Sequence, residues 1–138
     1  MFPPDTRILL AEDTEITRAI LKQMLQKLGY KRISEVDNGL AAWEEIERAL
    51  RSQSQFKLAI IDWKMPGLNG LELLKKIQSY EETKSLPFIL LTSNTDKEHV
   101  VEAIKSGVTA YIAKPFPVAV LEKKLKEAWD TAVKRRVA

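Results

Sequence analysis

Five times along the chain a short apolar run gives way to a longer segment with helical spacing, and this alternation restricts the fold more than any other feature. The runs are "RILLA" (7–11), "RISEVD" (32–37), "KLAIID" (57–62), "PFILLTS" (87–93) and "TAYIAK" (109–114). "RILLA" is too short for a buried helix, and "RISEVD" alternates in strand fashion. Between the runs, apolar residues recur on helical faces. Ile16, Ile20, Met24, Leu25 and Leu28 form one such face, with Thr14 as its N-cap and Gly29 as its stop. Trp43, Ile46 and Leu50 form a second, and Val118, Leu121, Leu125, Ala128, Trp129 and Ala132 form the last. Segments such as "ILL", "LAII" and "FILL" are apolar on both faces, as in a parallel sheet covered by helices on each side. The expected fold is therefore a doubly wound α/β sandwich of five βα units.

At 138 residues, 45% hydrophobic and 30% charged, the chain fits one domain spanning 1–138, with no linker, repeat or following output domain. No apolar stretch approaches the roughly 20 residues of a membrane helix, and "MFPPDTR" lacks the regions of a secretory signal, so the expected location is cytoplasmic. The absence of cysteine excludes thiolate chemistry and disulfides. His99 is the single histidine and lies in a polar stretch, where it reads as a solvated side chain rather than part of a triad or zinc site. The net charge is +3, and the basic end "KLKEAWDTAVKRRVA" reads as a solvated helix end more readily than as a nucleic-acid surface.

Open sheets of this type bind ligands beyond the carboxyl ends of their strands. Those ends carry Glu12 and Asp13, then Asp62, then Thr92 and Ser93, then Lys114. Strand two ends instead in Asp37, Asn38 and Gly39, a turn and helix cap. Taken singly, each residue has an ordinary reading: an acidic helix start, a turn-forming aspartate, an N-cap, a strand end. Together they place three mutually repelling carboxylates at one edge, a set that holds a hard cation such as Mg²⁺. Lys114 adds a fixed positive charge and Thr92 a hydroxyl, which suits a phosphoryl group. An aspartate oxygen in such surroundings acts as a nucleophile on phosphorus.

The segments "ILLAEDTEITR", "IIDWKMPGLNGLELLKKI", "LLTSN" and "AYIAKPF", in this order, resemble the receiver domains of two-component response regulators, in particular the single-domain chemotaxis, CheY-like type. The resemblance covers nearly the whole chain. It implies a flavodoxin-like five-stranded parallel sheet of strand order 2-1-3-4-5. It also implies that Asp62 accepts a phosphoryl group from a histidine kinase, with Mg²⁺ held by Glu12, Asp13, Asp62 and the Lys64 backbone carbonyl. Thr92 and Lys114 match the residues that contact the phosphoryl group, Lys114-Pro115 matches a peptide bond that is usually cis, and Tyr111 matches the aromatic switch residue. Without the resemblance, Tyr111 reads as a half-buried strand tyrosine. Phosphorylation is expected to reshape the face of helix four, strand five and helix five so that it binds a target protein, a flagellar switch being one candidate. Lys64 and Asn94 flank the approach of water and are candidates for setting the lifetime of the aspartyl phosphate, in which a separate phosphatase is a further candidate partner.

On this reading the chain catalyses only its own phosphorylation and dephosphorylation and is not otherwise an enzyme. Alternatives are a phosphorelay receiver or a signalling adaptor outside motility. An aspartate-nucleophile phosphatase is disfavoured because the dehalogenase type carries a second aspartate where this chain has Lys64. A flavin mononucleotide carrier is disfavoured because the acidic crevice repels its phosphate and the first βα loop is no phosphate cradle.

Overall fold

The computed structural model describes residues 1–93 and 97–137, with the backbone alone at 97–99, 136 and 137. Ten elements alternate along it: β1 (Ile8–Ala11), α1 (Glu15–Lys27), β2 (Ile33–Val36), α2 (Gly39–Arg51), β3 (Leu58–Asp62), α3 (Gly70–Gln78), β4 (Phe88–Thr92), α4 (Lys97–Lys105), β5 (Ala110–Ala113) and α5 (Val118–Val137). The strands form one parallel sheet in the order β2-β1-β3-β4-β5. Strand order reverses between β1 and β3, which opens a crevice at their carboxyl ends.

Alternate strand residues point to opposite faces, and both faces are covered. Leu9, Ala11, Ala59, Ile61, Phe88 and Leu90 pack with side chains of α2, α3 and α4, among them Trp43, Ile46, Leu74, Ile77 and Ala103. Ile8, Leu10, Leu58, Ile60, Ile89 and Ile112 pack with α1 and α5 through Leu21, Leu25, Leu121, Leu125 and Ala128. Because β1, β3 and β4 are buried throughout, a charged side chain belongs at their ends.

One expectation about α1 is corrected. Ile16 is 73% exposed and Ile20 47%, and the fully buried side chains are Leu21 and Leu25. Steps of four residues drift by about 40° around a helix, so the stripe of Ile16, Ile20 and Met24 and the adjacent one of Leu21 and Leu25 both read as apolar. The docking angle of α1 on β1 selects the second. Thr14 occupies the N-cap position, but its side chain makes no capping hydrogen bond. Asn38 does cap α2, accepting from the Ala41 N–H at 2.7 Å, and Asn69 and Glu72 form a reciprocal cap on α3. Gly29 ends α1 with φ at 100°, as its sequence position implies.

This assignment predicts unequal costs on one helix: Leu25→Ala is expected to destabilise by about 2–5 kcal/mol. Ile16→Ala is expected to fall within about 0.5 kcal/mol of the parent. Urea unfolding of the two variants measures both.

Candidate functional site

Extensions of the strand ladder carry the candidate residues to the sheet edge. The Glu12 N–H donates to the Val36 carbonyl at 3.1 Å, the Trp63 N–H to Leu91 at 2.7 Å, and the Lys114 N–H to Thr92 at 2.8 Å. Ala11 is in register with Ile61, so Glu12 and Asp62 emerge side by side at the switch point. Asp62 ends β3 and Thr92 ends β4, both buried.

The three acidic side chains meet there. Glu12, Asp13 and Asp62 each offer an oxygen within 4.8 Å of the others, Glu12 and Asp62 buried and Asp13 exposed. The Lys114 ammonium lies 3.0 Å from Asp62 Oδ1 and 3.3 Å from Glu12 Oε2. With all groups ionised, three carboxylates against one ammonium leave two uncompensated negative charges, which a divalent cation offsets. All-oxygen donors at this spacing fit a hard cation, as expected for Mg²⁺. Burial pushes the Glu12 carboxyl up to about 7, helped by its hydrogen bond with Asp62 and the Asp62 charge; Lys114 opposes the rise. For Lys114, burial pulls the ammonium down, but hydrogen bonds and charge attraction from Asp62 and Glu12 outweigh it, and the net shift is upward.

Of the other sequence candidates, Ser93 and Lys64 are exposed, and among the described residues no ion pair joins Lys64 to Glu12. Asn94 and the His99 side chain lie outside the described residues. The Lys114–Pro115 bond is cis, as the resemblance implies. Tyr111 is half-buried, with the Lys124 ammonium 5.2 Å from its ring centroid. Between Tyr111 and Thr92 lies a void of only about 10 Å³, bounded also by Trp63, Leu90, Val100 and Ala103.

One supporting residue, Arg18, escaped the sequence reading, and the role of a second, Gly70, proves to be more than opening a helix. The Arg18 guanidinium donates to the Glu12 carbonyl at 2.8 Å and stands 3.7 Å from Glu35, anchoring the acidic loop to α1 and β2. Gly70 opens α3 directly against the end of β3: a Cβ there would lie 2.6 Å from the Asp62 carbonyl oxygen. No side chain larger than hydrogen fits without displacing Asp62. For Gly70 the signal was visible as a glycine opening a helix beside the aspartate, but for Arg18 only the fold reveals the contact.

The response regulator receiver domain family matches residues 8–126. The chain is 38% identical over 125 residues to the chemotaxis protein CheY1 of Helicobacter pylori, covering 91% of this chain and 98% of that protein. It is 36% identical to the chemotaxis protein CheY-3 of Vibrio cholerae, covering 90% and 92% of the two chains. In structure it is similar to the receiver domain of a sensor histidine kinase from Pseudomonas aeruginosa PAO1, described with a magnesium ion coordinated in its active-site cleft. That match has a TM-score of 0.77 at 29% identity and covers 88% of this chain and 95% of the other. An open parallel sheet of this order, with an acidic crevice at its switch point, defines the receiver architecture, of which CheY is itself a standard example. The chain belongs to the response regulator receiver domain family, and its relatives place it with the CheY-like response regulators.

The raised Glu12 value has a consequence for stability in metal-free protein. In the unfolded chain this carboxyl titrates near 4.5, and in the fold near 7. Its favourable contribution is therefore complete below pH 4.5 and is lost as the pH rises to about 7, by up to roughly 3 kcal/mol. Lys114, shifted upward from 10.5, adds no pH dependence in that window. Thermal unfolding in EDTA is expected to show Glu12→Gln gaining stability relative to the parent between pH 5 and 8. Mg²⁺ should restore the parent at pH 8 and have a much smaller effect on the variant.

Proposed function

We propose that this chain is a response regulator that accepts a phosphoryl group on Asp62 and thereby switches its binding to a target protein. The observation that carries the proposal is the buried Asp62 carboxylate, held 3.0 Å from Lys114 and grouped with Glu12 and Asp13 at the switch point. In the forward step an Asp62 oxygen forms a bond to the phosphorus of a phosphohistidine or a small acyl phosphate. The P–N or P–O bond of the donor breaks, and its electron pair leaves with the donor. In the reverse phase water attacks the phosphorus, the Asp62 O–P bond breaks, and carboxylate and inorganic phosphate are released.

Lys114 offsets the charge gathered on the phosphoryl oxygens, and the Thr92 hydroxyl donates to one of them. Glu12 and Asp13, with Asp62 and the Lys64 carbonyl, would hold Mg²⁺, which supplies charge neutralisation at the phosphoryl oxygens when bound. The chain acts chemically only on itself in this scheme and is otherwise a binding module. A dehalogenase-type phosphatase is disfavoured because its second aspartate is replaced by the exposed Lys64.

The void beside Thr92 has room for about one water molecule, so Tyr111 moves inward together with a shift of Thr92 toward the phosphoryl position. Withdrawal of Tyr111 changes the face of α4, β5 and α5, where Val101 and Ile104 are 47% and 56% exposed and Lys124 covers the tyrosine ring. Phosphorylation then biases a pre-existing equilibrium toward the target-binding form. The chemotaxis proteins among the relatives support an output in motility. On that reading the donor is a histidine kinase, the target a flagellar switch, and a phosphatase an accessory partner. The likeness to a receiver from a sensor histidine kinase supports a second reading, an intermediate in a phosphorelay.

Incubation with acetyl phosphate and Mg²⁺ is expected to yield a labile phosphoryl adduct on Asp62 by mass spectrometry, lost in Asp62→Asn. Absence of an adduct on the parent protein would defeat the proposal. Dephosphorylation of Lys64→Ala and Asn94→Ala is expected to differ from the parent several-fold in at least one variant. Unchanged rates in both would remove their tuning role.

A further inference from the structure

At the amino ends of the strands, opposite the acidic crevice, a cavity of about 480 Å³ opens between the N-terminal segment, the loop before β3 and α5. Its size falls within the roughly 300–1,000 Å³ of small-ligand sites. Arg32, Arg7 and Lys57 line it, and each immediately precedes one of the in-register residues Ile33, Ile8 and Leu58 on three adjacent strands. The Ile8 N–H donates to the Arg32 carbonyl at 2.8 Å and the Lys57 N–H to the Arg7 carbonyl at 2.9 Å, tying the three backbones together. Adjacent strands are about 4.8 Å apart, so three cations share one short row where like charges repel. Asp5 is the one carboxylate among the described lining residues, which leaves the cavity an excess of two positive charges. Arg7 is held in place, donating to the Ser54 carbonyl while its guanidinium carbon lies 4.3 Å from the Phe56 ring centroid. Trp129 supplies an aromatic wall, braced edge-on by Phe2 with ring centroids 5.2 Å apart.

A second, independent observation concerns the loop that closes the cavity. Helices α1 and α4 are each followed by a glycine in the left-handed region, Gly29 at φ 100° and Gly107 at φ 87°. After α2 the same turn, closed by the Ser54 N–H to the Ala49 carbonyl at 3.1 Å, is made by Gln53 at φ 59°. Gln53 is the one non-glycine residue with positive φ among the described residues, and it lines this cavity. A side chain in this conformation is strained where glycine would not be, and such strain concentrates at ligand clamps.

We propose that this cavity is a binding site for a small phosphate-bearing anion with a flat ring, the chemistry of a nucleotide. The guanidinium forks and the lysine ammonium take the phosphate oxygens, the Trp129 indole takes the ring, and the Gln53 carboxamide pairs with a polar edge. Lys57 and Asp62 stand at opposite ends of β3, roughly 17 Å apart, so the ligand does not compete with the acidic crevice.

The test titrates ATP, and separately inorganic pyrophosphate, into the full chain in EDTA and follows nitrogen-15 NMR spectra. ATP is expected to shift the Trp129 indole and the backbone amides of residues 53–57 saturably, and pyrophosphate to bind more weakly without moving the indole. Arg32 and Lys57 are both exposed, so the double variant Arg32→Ala with Lys57→Ala keeps the fold and should bind ATP about tenfold more weakly for each cation removed. Gln53→Gly should raise the melting temperature while weakening ATP binding. No saturable shift at millimolar ATP, or an affinity unchanged in the double variant, overturns the site. Pyrophosphate binding as tightly as ATP overturns the assignment of a ringed ligand.

Discussion

Glu12 and Asp62 come to the same buried spot, and the single Lys114 ammonium between them offsets only one of their two negative charges when both are ionised. Two ionised carboxylates so placed repel strongly when water is excluded, because the effective dielectric constant falls well below that of water. The fold tolerates the arrangement in two ways. Lys114 bridges both oxygens, and Glu12 holds its proton up to about pH 7. An excess of negative charge held in this way favours an added cation, and the remainder of the molecule serves to keep these groups together.

The holding is done by backbone more than by side chains. A sheet whose central strands are apolar on both faces leaves its carboxyl edge as the place where charges can stand: Asp62 closes β3 itself, and the ladder extends one residue past β1 and β5 to carry Glu12 and Lys114. Gly70 lets α3 begin in contact with the Asp62 backbone, and Arg18 pins the Glu12 carbonyl from the other side. The same sheet has an opposite edge, where three cations precede three neighbouring strands and Gln53 adopts a turn that glycine makes elsewhere. Acidic and basic groups thus collect at opposite ends of the strands, each end with its own chemistry.

Much of the architecture was legible in the chain itself because strand and helix periods differ so clearly. Runs such as "LAII" and "FILL" cannot have one face in water, and that forces a covered parallel sheet. Helix α1 was less legible. Its two adjacent apolar stripes satisfy the same spacing, and only docking against β1 buries Leu21 and Leu25 while leaving Ile16 and Ile20 outside. Thr14 likewise stands at the right position for a cap yet makes no capping bond, since position alone does not set the side-chain rotamer.

The sequence by itself determined which residues end the strands, because the apolar runs stop at Glu12, Asp62, Thr92 and Lys114 and a buried strand cannot continue through charge. The tertiary structure decided how these residues meet: strand order sets Glu12 beside Asp62, register brings Lys114 within 3.0 Å of Asp62, and the close approach of α3 requires glycine at position 70. It alone also revealed the basic cavity, since Arg7, Arg32, Lys57 and Trp129 are scattered along the chain and share a surface only after the strands have paired. Periodicity is a property of neighbours in the chain, whereas electrostatics depends on distance in space.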